Sequence, residues 1–106
     1  MSAQQSEKSL QDSALVWLRE RGGVWLNLSH AQHVEDGIPD VLGLYMGRFI
    51  AFEFKKPNEY PVPLLGCSAA QIDLGEKILD NGGVWYAVDS LKRVQRVIAL
   101  VEEKRI

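Results

Sequence analysis

Apolar residues recur along this chain at two spacings, and the switches between them mark out its elements. From Ser6 to Arg21, the residues Leu10, Ala14, Trp17 and Leu18 return every three or four positions. That is the period of a helix with one buried face. Ser6 is a suitable N-cap and Gly22-Gly23 supplies a stop. Val24 to Leu28 (VWLNL) predicts a short strand, and the polar Ser29 to Gly37 (SHAQHVEDG) a loop. Two apolar runs follow, about Asp40–Tyr45 and Arg48–Lys55, on either side of a Met46-Gly47 turn signal. They predict a β-hairpin. Asn58 to Cys67 contains prolines and a glycine and reads as a long loop. Ser68 then starts a second helix that closes on Gly82-Gly83. Val84 to Val88 (VWYAV) is the next strand. Ser90 caps a last helix with Leu91, Val94, Val97, Ile98 and Val101 on one face.

The order is helix, three strands, helix, strand, helix. A helix joining the third and fourth strands makes those two parallel, whereas a hairpin makes the second and third antiparallel. The expected architecture is α/β: a mixed four-stranded sheet flanked by helices, with an extra C-terminal helix. The helix-then-GGVW pattern occurs twice, at Gly22 and Gly82, as one local solution used again. Glu7 and Gln11 fall on the apolar stripe of the first helix, near its N-terminal end.

Composition narrows the setting. The 106 residues suit a single domain, 1–106, with 46% hydrophobic and 25% charged positions. No apolar run approaches the roughly 18 residues of a membrane helix. Cys67 is alone, which rules out an internal disulfide, and the polar N-terminus has no secretory pattern. Both features predict a cytoplasmic protein. The net charge is −2 and the pI about 5.6, so any nucleic-acid role needs a local basic surface.

The charges of the hairpin gather at one end. Asp40 opens the first run, and Glu53, Lys55 and Lys56 close the second. A Met46-Gly47 turn sets Asp40 opposite Glu53, and a turn one residue later sets it opposite Lys55. Both registers put Asp40 on the face of Glu53 and Lys55, because alternate residues share a face. Opposed residues have Cβ atoms about 4.5–5.5 Å apart, and carboxylates at that range repel unless a cation intervenes. Lys55 supplies one positive charge. A hard divalent cation supplies more, with the Phe54 carbonyl as a further oxygen ligand and Glu7 reaching in from the first helix. Such a set serves phosphodiester hydrolysis: the metal takes a phosphate oxygen and an attacking water, and the lysine offsets developing charge.

Pro39-Asp40 followed by Glu53-Phe54-Lys55 across a hairpin resembles the PD-(D/E)XK nuclease superfamily. Gly37-Ile38-Pro39-Asp40 and Lys55-Lys56-Pro57 make the chain similar to its VRR-NUC branch, small nuclease domains found alone in phages and bacteria. The superfamily core (helix, three strands, helix, strand) is the order read above. The resemblance implies a Mg²⁺- or Mn²⁺-dependent DNA endonuclease. Asp40, Glu53 and the Phe54 carbonyl would bind metal, and Lys55 would assist the water. Glu7 matches an acidic residue many members carry on the first helix, and Gln71 a glutamine near the site. The resemblance further implies a structure-selective enzyme acting on Holliday-junction or flap DNA, and a homodimer.

Plainer readings stand beside these. Asp40, Glu53 and Lys55 also fit a surface charge cluster, and Ser68-x-x-Gln71 also spells a capping box. Glu7 sits where a helix dipole favours any acid. His30 and His33, beside Glu35 and Asp36, suit a solvated loop better than a transition-metal site. Lys56, and Lys92, Arg93 and Arg96 on the last helix, suit either solvent or a DNA backbone. Trp17, Trp25 and Trp85 are read as core, and Gly75 as a close-packing position. Leu64 and Leu65 are expected to pack on the body or at a dimer interface. The alternative functions are an inactive nucleic-acid-binding module of the same fold and an assembly partner.

Overall fold

The computed structural model describes residues 5–31 and 33–106. Helix α1 runs Glu7–Arg21, β1 Val24–Asn27, β2 Val41–Tyr45, β3 Arg48–Phe54, α2 Ala69–Asp80, β4 Val84–Val88 and α3 Leu91–Glu102. Short 3-10 turns occupy Ser29–Ala31 and Pro63–Gly66. Every helix begins where a serine can cap it. Ser6, Ser68 and Ser90 each accept a hydrogen bond from the backbone N–H three residues on, satisfying a donor that the first turn would leave open.

The strands form one sheet in the order β1-β2-β3-β4. The first two pairings are antiparallel and β3–β4 is parallel, as the crossover helix requires. Met46 (φ 51°) and Gly47 (φ 77°) both take left-handed backbone, which is what a two-residue hairpin turn of the I′ type demands. Tyr45 therefore pairs with Arg48, and the register runs on to Val41 opposite Phe52.

Helices α1 and α3 cover one face of the sheet. Leu10, Ala14, Leu15 and Leu18 meet Val94, Val97, Ile98 and Val101 over Trp25, Val41, Ile50, Phe52 and Phe54. Arg21 forks onto Glu102 at 2.7 and 2.9 Å, and the Tyr45 hydroxyl donates to the same carboxylate at 2.6 Å. These bonds hold the Glu102 carboxyl below the usual range, the one from Arg21 first. They also tie the far ends of α1, α3 and the hairpin together.

Helix α2 covers the other face. A Cβ on Gly75 would lie 2.4 Å from the Trp85 ring, so glycine lets the helix settle onto that indole. The two GGVW tryptophans are both buried but on opposite faces: Trp25 belongs to the α1 side and Trp85 to the α2 side. Trp17 is half-buried against the core, with Arg21 stacked 5.6 Å from its ring. Of the two places expected for Leu64 and Leu65, packing on the body is not observed, and both are exposed on the single chain. The 3-10 turn Pro63–Gly66 buries Pro63 instead, and its tight winding turns the next two side chains outward.

Candidate active site

Three elements bring charged groups to the end of β3. The register that places Val41 opposite Phe52 puts Asp40 opposite Glu53 rather than Lys55. Asp40 and Lys55 each lie one residue outside the paired strands. The Asp40 backbone is pinned from one side, where Leu28 N–H donates to its carbonyl at 2.7 Å. Its carboxylate is pinned from the other, accepting the Phe54 N–H at 2.7 Å. Gly37 (φ +83°) lets the loop before Asp40 press on α2: a Cβ there would meet the Ala70 carbonyl oxygen at 2.4 Å. The loop of Asp40 and the helix of Gln71 are thereby locked together.

Gln71 completes the capping box and also reaches the charged cluster. Its amide oxygen accepts from Ser68 N–H at 2.9 Å, and Ser68 Oγ accepts from Gln71 N–H at 3.1 Å, which completes the capping box. The same oxygen accepts from Lys55 Nζ at 3.1 Å, while the amide nitrogen donates to Glu53 Oε1 at 3.2 Å. One side chain thus caps α2 and joins the cation to the carboxylate.

Asp40 is 6% exposed and Glu53 0%. Glu53 Oε2 is buried without a hydrogen-bond partner among the described residues. Burial first, and then the charge of Asp40, push Glu53 up to about 8, against the opposing pull of Lys55. A buried, under-bonded carboxylate beside a second carboxylate is a costly arrangement, and a cation relieves it. The oxygen donors present fit a hard divalent ion.

Glu7 is exposed, in contrast to the inward position expected from its place on the helical stripe. It sits in the first turn of α1 and still senses the site: burial and then the Asp40 charge raise its pKa. Among the described residues, no three His, Cys, Asp or Glu side chains converge into a preformed metal cluster. Glu7 and His30 instead line a cleft of about 470 Å³ that ends at Asp40, and His33 is exposed away from it.

The sequence reading missed the floor of this cleft. Gln11 is 6% exposed and donates to Asn27 Oδ1 at 2.9 Å. That oxygen also accepts from Ser29 N–H and Ser29 Oγ at 3.0 and 2.6 Å. A polar residue inside the apolar stripe was the available signal, because a buried amide needs a partner.

No protein-family model matches the sequence, and no curated protein matches it. Among solved structures, one described as a "VRR_NUC domain" superposes with a TM-score of 0.70 at 24% identity, covering 88% of this chain and 94% of its own. The chain has the VRR_NUC domain fold. In this chain Asp40, Glu53 and Lys55 stand together at the open end of β3, where β2 pairs with it on one side and β4 on the other. No helix among the described residues is long and apolar enough to cross a membrane.

Proposed function

We propose that the protein is a metal-dependent DNA endonuclease, selective for branched or flap structures. The buried Asp40–Glu53 pair carries this reading: one carboxylate oxygen lacks a partner, and Lys55 is held beside the pair by Gln71. The nuclease implied by the name of the structural neighbour supports it.

Asp40, Glu53 and the Phe54 carbonyl would hold Mg²⁺ or Mn²⁺, with Glu7 contributing through water. When bound, such an ion supplies Lewis acidity toward a phosphate oxygen and a water of lowered pKa. The Phe54 N–H keeps the Asp40 carboxylate oriented toward the end of β3. Lys55 brings the ammonium that offsets charge growing on the phosphate oxygens. Gln71 limits the swing of that ammonium through a bond that α2 itself anchors. Cleavage of labelled four-way junction, flap and linear duplex DNA with Mg²⁺ or Mn²⁺ tests the proposal. Cutting of the branched substrates ahead of linear duplex is expected. Wild-type protein inert on all three would overturn it.

The proposal includes a homodimer. Helix α2 lies over β4 and the adjoining part of β3, which leaves Val24, Leu26, Leu44 and Phe49 exposed together on the same sheet face. A stable interface takes about 800 Å² per partner, and this apolar face would form its centre. Sedimentation is expected to give a dimer that Leu44→Glu dissociates. A monomeric wild type at micromolar concentration would contradict it.

A further inference from the structure

The carboxyl ends of β3 and β4 lie side by side. Phe54 stands level with Val88, and Lys55 N–H donates to the Val88 carbonyl at 2.9 Å. The segment leaving β3, Lys55 to Pro57, and the segment leaving β4, Asp89-Ser90 into α3, therefore emerge at one edge. In sheets with parallel strands, ligands gather at that edge. A cleft of about 650 Å³ opens there, between Pro57–Pro61 and the residues Lys92, Arg93 and Arg96 of α3. It begins two residues from Lys55, on the other side of that segment from the acidic cleft.

The charge of this cleft opposes that of the whole chain. Arg93 pairs with Asp89 at 2.8 Å, which neutralises one of the three cations. Lys92 and Arg96 make no ion pair among the described residues, in a protein whose net charge is −2. The cleft also carries an aromatic ring with a fixed seat. A Cβ on Gly66 would come within 2.4 Å of Tyr60, so the ring rests directly on that glycine backbone. Past Arg96 lies a smaller cavity whose walls are mostly apolar residues of β4 and α3, with Tyr86, Arg93 and Arg96 among them. Unpaired cations beside an exposed, seated tyrosine ring suit a sugar-phosphate backbone whose bases are unstacked. A duplex would leave the ring unused, since its bases are already stacked on each other.

We infer that this groove seats a single-stranded DNA arm leading away from the cut site, with Lys92 and Arg96 on its phosphates and Tyr60 under a base. The inference rests on the nuclease reading and names the part of the substrate that the acidic cleft cannot hold.

The test uses the full chain carrying Lys92→Ala with Arg96→Ala, and separately Arg96→Glu. Binding of a fluorescent single-stranded oligonucleotide is measured by anisotropy across salt concentrations. Hydrolysis of bis(p-nitrophenyl) phosphate with Mn²⁺ reports the chemistry alone. The double variant is expected to bind the oligonucleotide about tenfold to a hundredfold more weakly. Its log–log salt slope should fall by about 1.4, for two phosphates lost. Arg96→Glu should weaken binding further, and both variants should hydrolyse the small diester as wild type does. Unchanged affinity and slope would overturn the inference, as would wild type binding polyglutamate as tightly as DNA. A parallel loss of small-diester hydrolysis would also overturn it, by placing these residues in the reacting centre. Wild type that binds the oligonucleotide through Lys92 and Arg96 but cuts neither it nor the small diester with Mn²⁺ present would support the groove and sink the nuclease reading.

Discussion

Asp40→Ala and Lys55→Ala are each expected to lower DNA cleavage by about a hundredfold to ten-thousandfold, with folding kept. Removal of one charged group from a preorganised hydrolytic site costs about 10²–10⁴ in rate. Asp40 is the costlier loss, because its carboxylate is both a metal ligand in this reading and the acceptor of the Phe54 N–H. Gln71→Ala should be less severe in rate but twofold in kind. It removes the cap partner of α2 and frees Lys55 and Glu53 from each other. Ser68→Ala separates the two roles, since its side chain serves only the cap. It should cost about 1 kcal/mol of stability and leave cleavage near wild type. Thermal melting and single-turnover cleavage of the same four variants check this. Near-normal cutting by Asp40→Ala or Lys55→Ala would remove the role assigned to that residue, and normal cutting by Gln71→Ala would reduce it to a cap.

The second large effect is on stability without metal. Burial and the Asp40 charge push Glu53 up to about 8 in the folded protein, from 4.5 for an ordinary glutamate. The folded state thus holds this proton more tightly than the unfolded chain does. Stability should therefore fall as pH rises from about 4.5 toward 8, then level off once both states are ionised. The loss is on the order of a few kcal/mol. Glu53→Gln should flatten this pH dependence and leave the metal-free variant more stable than wild type at pH 8.5. Mn²⁺ should restore wild type at that pH and do little for the variant, because metal binding competes with the proton. Denaturant melts at pH 5, 7 and 8.5, with and without Mn²⁺, measure each step. A wild type whose stability rises with pH across that window would contradict the assignment.

Much of this was legible from residue order alone. Serine caps, paired glycines and the Met46-Gly47 turn located every helix and strand within a residue or two, because each acts through local backbone geometry. The turn length also decided the site, since a two-residue turn puts Asp40 opposite Glu53. What escaped depends on how elements seat on one another. Gln71 reaches Lys55 only because α2 sits close to the sheet over Gly75 and Trp85, and the Ser68-x-x-Gln71 pattern reads the same with or without that contact. The bare face of β1 and β2 has a similar origin. A helix about 10 Å across covers roughly two strands spaced 4.8 Å apart, so one helix cannot roof four. Glu7 lies on the stripe of α1, but at its first turn, where the helix end is still open to solvent.

The most direct measurement is a crystal structure of the protein soaked in Mn²⁺, read by anomalous scattering. A peak is expected within coordination distance of one oxygen from Asp40 and one from Glu53, with the Phe54 carbonyl as a third ligand. A peak at His30 or His33 instead, or none between the two carboxylates at saturating metal, would contradict this assignment.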